Sequence, residues 1–345
     1  MARFVVLDAV LAGVLACAGF GCDPGSVDEG DPSQRTLPEA PPSGSPVALH
    51  GQLRVEGTEL VNERGEVVQL RGPSSMWLNY ENDGFAESLA GLSWMRDHWN
   101  LSVIRAAMGV EPAGAYLSNP EGAKRKVRTI VENAIVAGVY VIIDWHDHNA
   151  HQHEDEALEF FTEMAMTYGE FPHVIYEPYN EPERASWETE VKPYHERVVA
   201  GIRSIDPDNL IVLGTPNWSQ HVDEAAAALV AGDNLLYALH FYACSHGSAL
   251  RERAESALAQ GAPLFVTEWG ATHADGGLDG ELCLDEARSW TVWMNERNIS
   301  WTAWKLDNCT DASCYFGETM TLIHGGWSDR HLQGHGPFVR DSMLE

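Results

Sequence analysis

The 345-residue chain is 44% hydrophobic and 21% charged, which is ordinary globular arithmetic and excludes collagen-like, coiled-coil and wholly disordered readings. It carries 22 Lys+Arg against 51 Asp+Glu, a net charge of -29, so its surface repels phosphate backbones and nucleic-acid binding is excluded as a function class. A neutral partner such as a sugar is not repelled, and the 12 Trp offer flat faces for one, although any single indole is more often core.

The first element, residues 4–21, is the one long apolar run. Asp8 breaks it, it is short for a stable span, and an Arg precedes it, so residues 1–22 are expected to be an export signal. Val14-Leu15-Ala16 before Cys17 resembles a lipobox. Cys22 is the rival acylation position, and plain secretion is the third reading. Membrane anchoring through an N-terminal lipid is therefore one expectation, alongside a periplasmic or extracellular location. Residues 23–49 hold an acidic, Pro-rich stretch with almost no large apolar side chain, expected to be a disordered tether to a folded domain over residues 50–345. The four remaining cysteines, Cys244, Cys283, Cys309 and Cys314, suit an oxidising compartment. Three pairings are open; the short loop favours Cys309 with Cys314, leaving Cys244 with Cys283. A zinc site is the rival, but no C-x-x-C pair is present.

From residue 51 the pattern predicts a small hairpin lid to residue 69 with a turn at 62–65. Strands follow at 66–72, 102–108, 139–145, 173–179, 209–214, 235–241, 263–268 and 300–305. Between them, apolar residues recur every three or four positions at 121–137, 154–169, 190–204, 248–260 and 283–297, and 336–344 closes the series. Strands alternating with helices predict an α/β fold, a (β/α)8 TIM barrel with a short N-terminal β-hairpin. An open doubly wound sheet is the rival, without the Gly-rich loop it would need after its first strand.

In such a barrel chemistry sits where strands end. Reading those ends gives Arg105, His146, Asn180 with Glu181, Trp218, His240 with Tyr242, Glu268 and Trp304. Charged groups in strands buried on both sides need compensation, and a whole rim of them points to a site. Glu181 and Glu268 are the centre: two carboxyls about 5 Å apart suit double-displacement glycoside hydrolysis. Arg105 and Tyr242 are placed to support the charge on Glu268. Glu181 is expected to hold its proton near neutral pH because a negative charge stands opposite. The cluster His146, Asp147, His148, His151, His153 and Glu154 looks metal-binding, but it lacks the lysine and later histidines of barrel metalloenzymes. No metal or cofactor is expected.

Seven blocks in order then give a resemblance: Leu70-Arg71-Gly72, Ile104-Arg105-Ala106-Ala107-Met108-Gly109, Val141-Ile142-Ile143-Asp144-Trp145-His146, Val174-Ile175-Tyr176-Glu177 with Asn180-Glu181-Pro182, Gly214-Thr215-Pro216-Asn217-Trp218-Ser219-Gln220, Leu239-His240-Phe241-Tyr242 and Phe265-Val266-Thr267-Glu268-Trp269-Gly270. Over about residues 51–344 the sequence resembles glycoside hydrolase family 5, in its bacterial endo-β-1,4-glucanase branch. The resemblance implies a retaining enzyme acting on a β-glucan chain, with Glu181 as proton donor and Glu268 as nucleophile. It also implies that Asn180 binds the 2-hydroxyl beside the cleaved bond, while Arg105, His146, His240 and Tyr242 orient the glutamates and the central sugar. Trp304 is implied as the non-reducing-side platform, Trp77 as a more distal one and Trp218 as the reducing-side one. A monomer is expected. β-Mannan and xyloglucan are the competing substrates, and a glycan-capturing surface lipoprotein is the non-catalytic alternative. Two departures stand out: Gly109 where some relatives carry Tyr, and Lys305-Leu306-Asp307-Asn308-Cys309-Thr310-Asp311 where many carry a Lys-Asp-Glu cluster. The latter predicts a disulfide-tied loop with Asp307 or Asp311 replacing the lysine contact.

Overall fold

A computed structural model describes residues 36–81 and 83–345. The expected signal, 1–22, and the first part of the expected tether, 23–35, lie outside the described residues. Eight parallel strands close into a barrel: β3 (Arg71–Ser75), β4 (Val103–Gly109), β5 (Tyr140–His146), β6 (Val174–Glu177), β7 (Leu210–Leu213), β8 (Leu235–Tyr242), β9 (Leu264–Gly270) and β10 (Trp301–Leu306), with β10 pairing back onto β3. Every residue of β4, β5, β8, β9 and β10 is buried, as expected for strands covered on both faces.

The covering helices are α2 (Leu89–Trp99), α3 (Pro120–Ala137), α4 (Glu154–Tyr168), α5 (Lys192–Arg203), α8 (Ser248–Ala259), α9 (Leu284–Glu296) and α10 (Gly336–Leu344). The short segments α6 (Pro216–Ser219) and α7 (Val222–Ala226) lie between β7 and β8. Helix α3 shows how local sequence sets the bounds: Asn119 caps it by accepting from the Gly122 amide, and Gly138 ends it in the left-handed region at φ 73°. A Cβ on Gly138 would also meet Ser45 Oγ at 2.2 Å, so only glycine fits there. No element was predicted over α2, yet Ser88 caps it and Leu92, Met95 and Trp99 anchor its buried face.

The hairpin formed by β1 (Arg54–Glu56) and β2 (Glu59–Val61) turns at residues 57–58, while the predicted 62–65 turn leads into an antiparallel bridge between Val61 and Val67. It covers the amino-terminal mouth of the barrel, away from the strand ends that carry the chemistry. Leu53, Leu60, Val68 and Leu70 pack there with Val103, Tyr140, Leu210, Leu236 and Phe265. Gln52 and the Val55 amide hydrogen-bond to Asn209 and Asn234 at 3.0 Å each.

The tether expected through residue 49 differs in its last part. Residues 46–50 form helix α1 (Pro46–His50), capped by Ser45, with Val47 buried in the same lower core and Leu37 packed against the main one. Two apolar side chains in a polar stretch are enough to dock it. The cysteines pair as Cys244–Cys283 and Cys309–Cys314, with Cα separations of 5.1 and 5.7 Å. No helix among the described residues is long and apolar enough to cross a membrane.

Because the hairpin plugs the mouth opposite the strand carboxyl ends, Leu60→Ala should cost about 2–5 kcal/mol in urea unfolding through the cavity it leaves. It should leave kcat unchanged at temperatures well below the transition; a parallel loss of kcat would show that the plug shapes the site.

Candidate active site

Arg105, in the middle of β4, is fully buried beneath the carboxyl-terminal mouth. Its Nε donates to Glu177 Oε2 at 2.7 Å, Nη1 to Glu268 Oε2 at 3.1 Å and Nη2 to Asn180 Oδ1 at 2.6 Å, while Nη2 also forms an ion pair with Asp144 Oδ2 at 2.9 Å. Burial alone would lower its pKa, but Asp144, Glu177 and Glu268 together push it well above the usual arginine value. The guanidinium therefore links β4, β5, β6 and β9 and stays charged.

The structure brings Glu181 and Glu268 together: one carboxylate oxygen of each, with a ring nitrogen of His240, lies within 4.8 Å of the others. Glu268 sits inside β9 and Glu181 just beyond the end of β6. Both oxygens of Glu268 accept hydrogen bonds, from Arg105 and from Tyr242 Oη at 2.6 Å. Burial, with Glu268 beside it, raises the Tyr242 pKa well above its ordinary value, so the phenol keeps the proton it donates.

Glu181 faces two histidines, His240 Nδ1 at 2.9 Å from Oε1 and His148 Nε2 at 3.4 Å from Oε2. Here the structure reverses the expectation that Glu181 holds its own proton. Burial raises its pKa, but the hydrogen bonds from His148 and His240 outweigh burial and hold it well below the usual carboxylate range. The same contacts raise both imidazoles, His148 and His240, against the pull of their burial. His240 is driven down by burial yet raised by Glu177 and Glu181 to about 9. The tautomer follows from its partners. Thr267 Oγ1 gives its hydrogen to Glu177 Oε1 at 2.5 Å, so it accepts from His240 Nε2 at 2.8 Å, and Nδ1 is the atom that shares a proton with Glu181.

The aromatic residues split into two groups. Trp304 stacks on His146 at 5.3 Å between ring centroids, and Trp77 meets the same imidazole edge-on at 4.4 Å; with Tyr242 and Ala107 they form one apolar cluster. Trp218 stands apart, 38% exposed, lining a cleft of about 380 Å³ together with Glu181, Gln220, His246 and Glu268. Its backbone is unusual: Asn217, Trp218 and Ser219 are all left-handed, at φ 56°, 55° and 54°. For side chains with a Cβ that conformation costs about 1–2 kcal/mol each. The loop is held there by Trp218 N donating to Pro182 O at 3.1 Å and Ser219 Oγ to Asn180 O at 2.8 Å. Trp218 is thus tied to the backbone on both sides of Glu181.

Lys305 is bound into the disulfide loop, its backbone N–H donating to Ser313 O at 2.9 Å. It is buried and pairs with Asp311 Oδ2 at 3.2 Å, and Asp307 is partly buried, its pKa raised by that burial. Asp311 is therefore committed to Lys305. The metal-looking histidines are also spoken for among the described residues: His146 by Asp144, His148 by Glu181, His151 by Tyr179, and His153 by Asp147 at 2.7 Å. Residues with site contacts to which the sequence reading gives no role are Asp144, Glu177 and Thr267, and His148, read there only as part of a metal-looking cluster, faces Glu181. The available signal was an acidic residue inside an otherwise apolar strand, as in Val141-Ile142-Ile143-Asp144 and Val174-Ile175-Tyr176-Glu177.

Fold and site together define a class of (β/α)8 barrel with an acidic pair meeting across the carboxyl-terminal mouth above a buried arginine. Residues 61–310 match the family model described as cellulase (glycosyl hydrolase family 5), and the chain belongs to that family. It is 42% identical over 305 residues to endoglucanase N of Pectobacterium atrosepticum, covering 87% of this chain and 67% of that protein. It is 45% identical over 276 residues to endoglucanase Z of Dickeya dadantii, covering 79% and 64%. The chain therefore spans about two thirds of the length of these relatives. Among solved structures, a chain from Cytophaga hutchinsonii superposes with a TM-score of 0.83 at 40% identity, covering 87% of this chain and 96% of that one. The catalytic domain of a Thermobifida fusca endoglucanase superposes at 0.82 with 32% identity, covering 88% and 100%, and has also been solved in complex with cellotetraose.

The His240 pKa predicts a pH effect of definite sign. Its folded value of about 9 lies above the unfolded value near 6.5, so its stabilisation is full below pH 6.5 and is lost as pH climbs through 9. In urea melts at pH 6 and pH 9.5, the stability gap between the wild type and His240→Gln should narrow at the higher pH; a constant gap would contradict the assigned ion pair.

Proposed function

We propose that the protein is an endo-acting, retaining glycoside hydrolase that cleaves β-1,4-glucan chains by double displacement, with Glu268 as nucleophile and Glu181 as acid and then base. The observation that carries this reading is the approach of the two carboxylates, whose nearer oxygens lie within 4.8 Å of each other, which suits the short carboxyl spacing of double displacement. The endoglucanase names of the relatives and the cellotetraose complex of a structural neighbour support β-1,4-glucan as the substrate class.

In the first step Glu268 attacks the anomeric carbon, its lone pair forming the glycosyl ester as the bond to the leaving oxygen breaks. Arg105 and Tyr242 orient the attacking carboxylate through one hydrogen bond to each of its oxygens. The leaving oxygen takes its proton from Glu181. That proton is available on the 2.9 Å line between Glu181 and His240 Nδ1. A glycan filling the cleft expels water, which penalises the Glu181 carboxylate and His240 imidazolium as separate charges and returns the proton to the carboxyl. Water then enters, Glu181 accepts its proton, and the ester is cleaved with net retention. Trp304 and Trp77 support sugars on one side of the bond and Trp218 on the other.

Export fits the two disulfides, which persist in oxidising compartments. Hydrolysis by this route uses no cofactor.

Reducing-sugar release from soluble β-1,4-glucan, mannan and xyloglucan tests the reading, with β-1,4-glucan expected to give the highest initial rate. Glu268→Gln should abolish release; a wild type as inert as this variant would exclude an enzyme. Glu181→Ala should lower kcat on polysaccharide by about 10²–10⁴-fold. On aryl cellobiosides with strongly acidic leaving groups it should retain far more of the rate of the bond-breaking step, since those groups depart without a proton. Equal losses on both would reverse the assignment.

A further inference from the structure

Asp144 precedes His146 by two residues on β5, so both side chains lie on one face of the strand. Asp144 is fully buried, and its two oxygens are treated differently. Oδ2 receives Arg105 Nη2 at 2.9 Å and His146 Nδ1 at 2.6 Å, whereas Oδ1 has no partner. Arginine can only donate, so the Asn180 oxygen must face Arg105, as its 2.6 Å contact with Nη2 requires. The Asn180 nitrogen then faces His146 Nε2 at 3.4 Å. An amide nitrogen also only donates, so Nε2 must be bare. A neutral imidazole with bare Nε2 carries its hydrogen on Nδ1, and that hydrogen points at Asp144 Oδ2. His146 is neutral over a wide range, because burial and then Arg105 lower its pKa to about 3. The chain of donors and acceptors has one solution.

We propose that Asp144 is a positioning residue that locks His146 in its Nδ1–H tautomer and, through His146 and Arg105, fixes the orientation of the Asn180 amide so that its second N–H remains for the sugar hydroxyl beside the cleaved bond. No acceptor among the described residues takes that second hydrogen. The inference rests on the glycosidase reading for its substrate, but the tautomer is a property of the protein alone. What Asp144 supplies is an acceptor at Oδ2 rather than a negative charge. Arg105 already has Glu177 and Glu268, and burial with these neighbouring carboxylates drives the Asp144 pKa up, Arg105 opposing. A proton on Asp144 would sit on the unpartnered Oδ1 and leave both bonds at Oδ2 intact.

The test compares Asp144→Leu with Asp144→Asn. In the asparagine variant the amide oxygen takes the Oδ2 position, since both neighbours there are donors, and the amide nitrogen takes the unpartnered side. Nitrogen-15 spectra of histidine-labelled protein should show the Nδ1-protonated pattern for His146 in the wild type and in Asp144→Asn, and its loss in Asp144→Leu. On an aryl β-cellobioside, Asp144→Leu should lower kcat by about 10²-fold with KM little changed, and Asp144→Asn should restore at least a tenfold share of that loss. On the analogue lacking the 2-hydroxyl at the reacting sugar, the Asp144→Leu deficit should shrink to within about threefold of the wild type on that substrate, because the Asn180 contact is already gone. The proposal is overturned if His146 keeps its Nδ1–H pattern in Asp144→Leu, if Asp144→Asn loses the pattern or as much rate as Asp144→Leu, or if the deficit is equal with and without the hydroxyl. Should Asp144→Leu fail to fold, the Asp144→Asn spectrum and rate decide alone. A protein inactive on every glycan would remove the glycosidase reading while leaving the tautomer measurement standing.

Discussion

One buried cation organises the mouth of this barrel. Arg105 has no exposed surface, and bringing a guanidinium into such a place costs several kcal/mol unless every donor is met. Here three carboxylates and an amide meet them, drawn from strands β5, β6 and β9 and the segment after β6. The carboxyls outnumber the cation; burial with its neighbours drives the Asp144 pKa up, and His240, held protonated between Glu177 and Glu181, offsets part of the charge that remains. Glu268 is therefore not placed by its own strand alone. Its position is one corner of an ionic lattice, and moving any member moves Glu268 or Asn180.

The two central glutamates acquire opposite characters from this lattice although they are the same residue type. Glu268 is surrounded by donors that stay protonated across the working range, Arg105 and Tyr242, so its partners can take no proton from it and give none up. Glu181 is surrounded by imidazoles, groups that carry and exchange protons, and one of them shares a hydrogen bond with it at 2.9 Å. A carboxylate among fixed donors suits nucleophilic attack; one among proton carriers suits acid–base work. Because Glu181 is held below the usual carboxylate range and His240 above the usual imidazole range, the acidity of this corner belongs to the pair and to how dry the cleft becomes, more than to the charge opposite.

Much of this was legible in the sequence, and the reasons for what was not are physical. Barrel strands announce themselves as apolar runs because both faces are covered, and α3, α4, α8 and α10 follow their helical periods to within a residue or so. Strand-end residues such as His146, Asn180, His240 and Glu268 are visible as polar groups where an apolar run stops. Asp144 and Glu177 were harder, since their meaning lies in a guanidinium some 40 and 70 residues away in sequence, which no local pattern reports. The proton on Glu181 was misassigned for the same reason: His148 and His240 approach it from two different strand ends. The hairpin was predicted as an element but not in its place, because which mouth it covers depends on Leu53 and Leu60 finding Tyr140, Leu210 and Leu236. Likewise Val47 and Leu37 dock a segment whose composition reads as tether.

The walls above the lattice are held by means that leave them little freedom. Cys244–Cys283 joins the loops after β8 and β9, and Ala312 and Ser313 hydrogen-bond to Gly277 and Gly276, joining the loop after β9 to the one that Cys309–Cys314 closes after β10. These are the loops that follow His240 with Tyr242, Glu268 and Trp304. On the far side, the left-handed turn at Asn217–Ser219 is strained but lashed to Asn180 and Pro182. Strain held by such ties is not idle, because a relaxed turn would let Trp218 swing away from the cleft it lines with Glu181 and Glu268. Rigid walls over a fixed charge lattice place the cost of fitting on whatever flexible chain enters the cleft, so that Glu181, Glu268 and Trp218 keep their geometry.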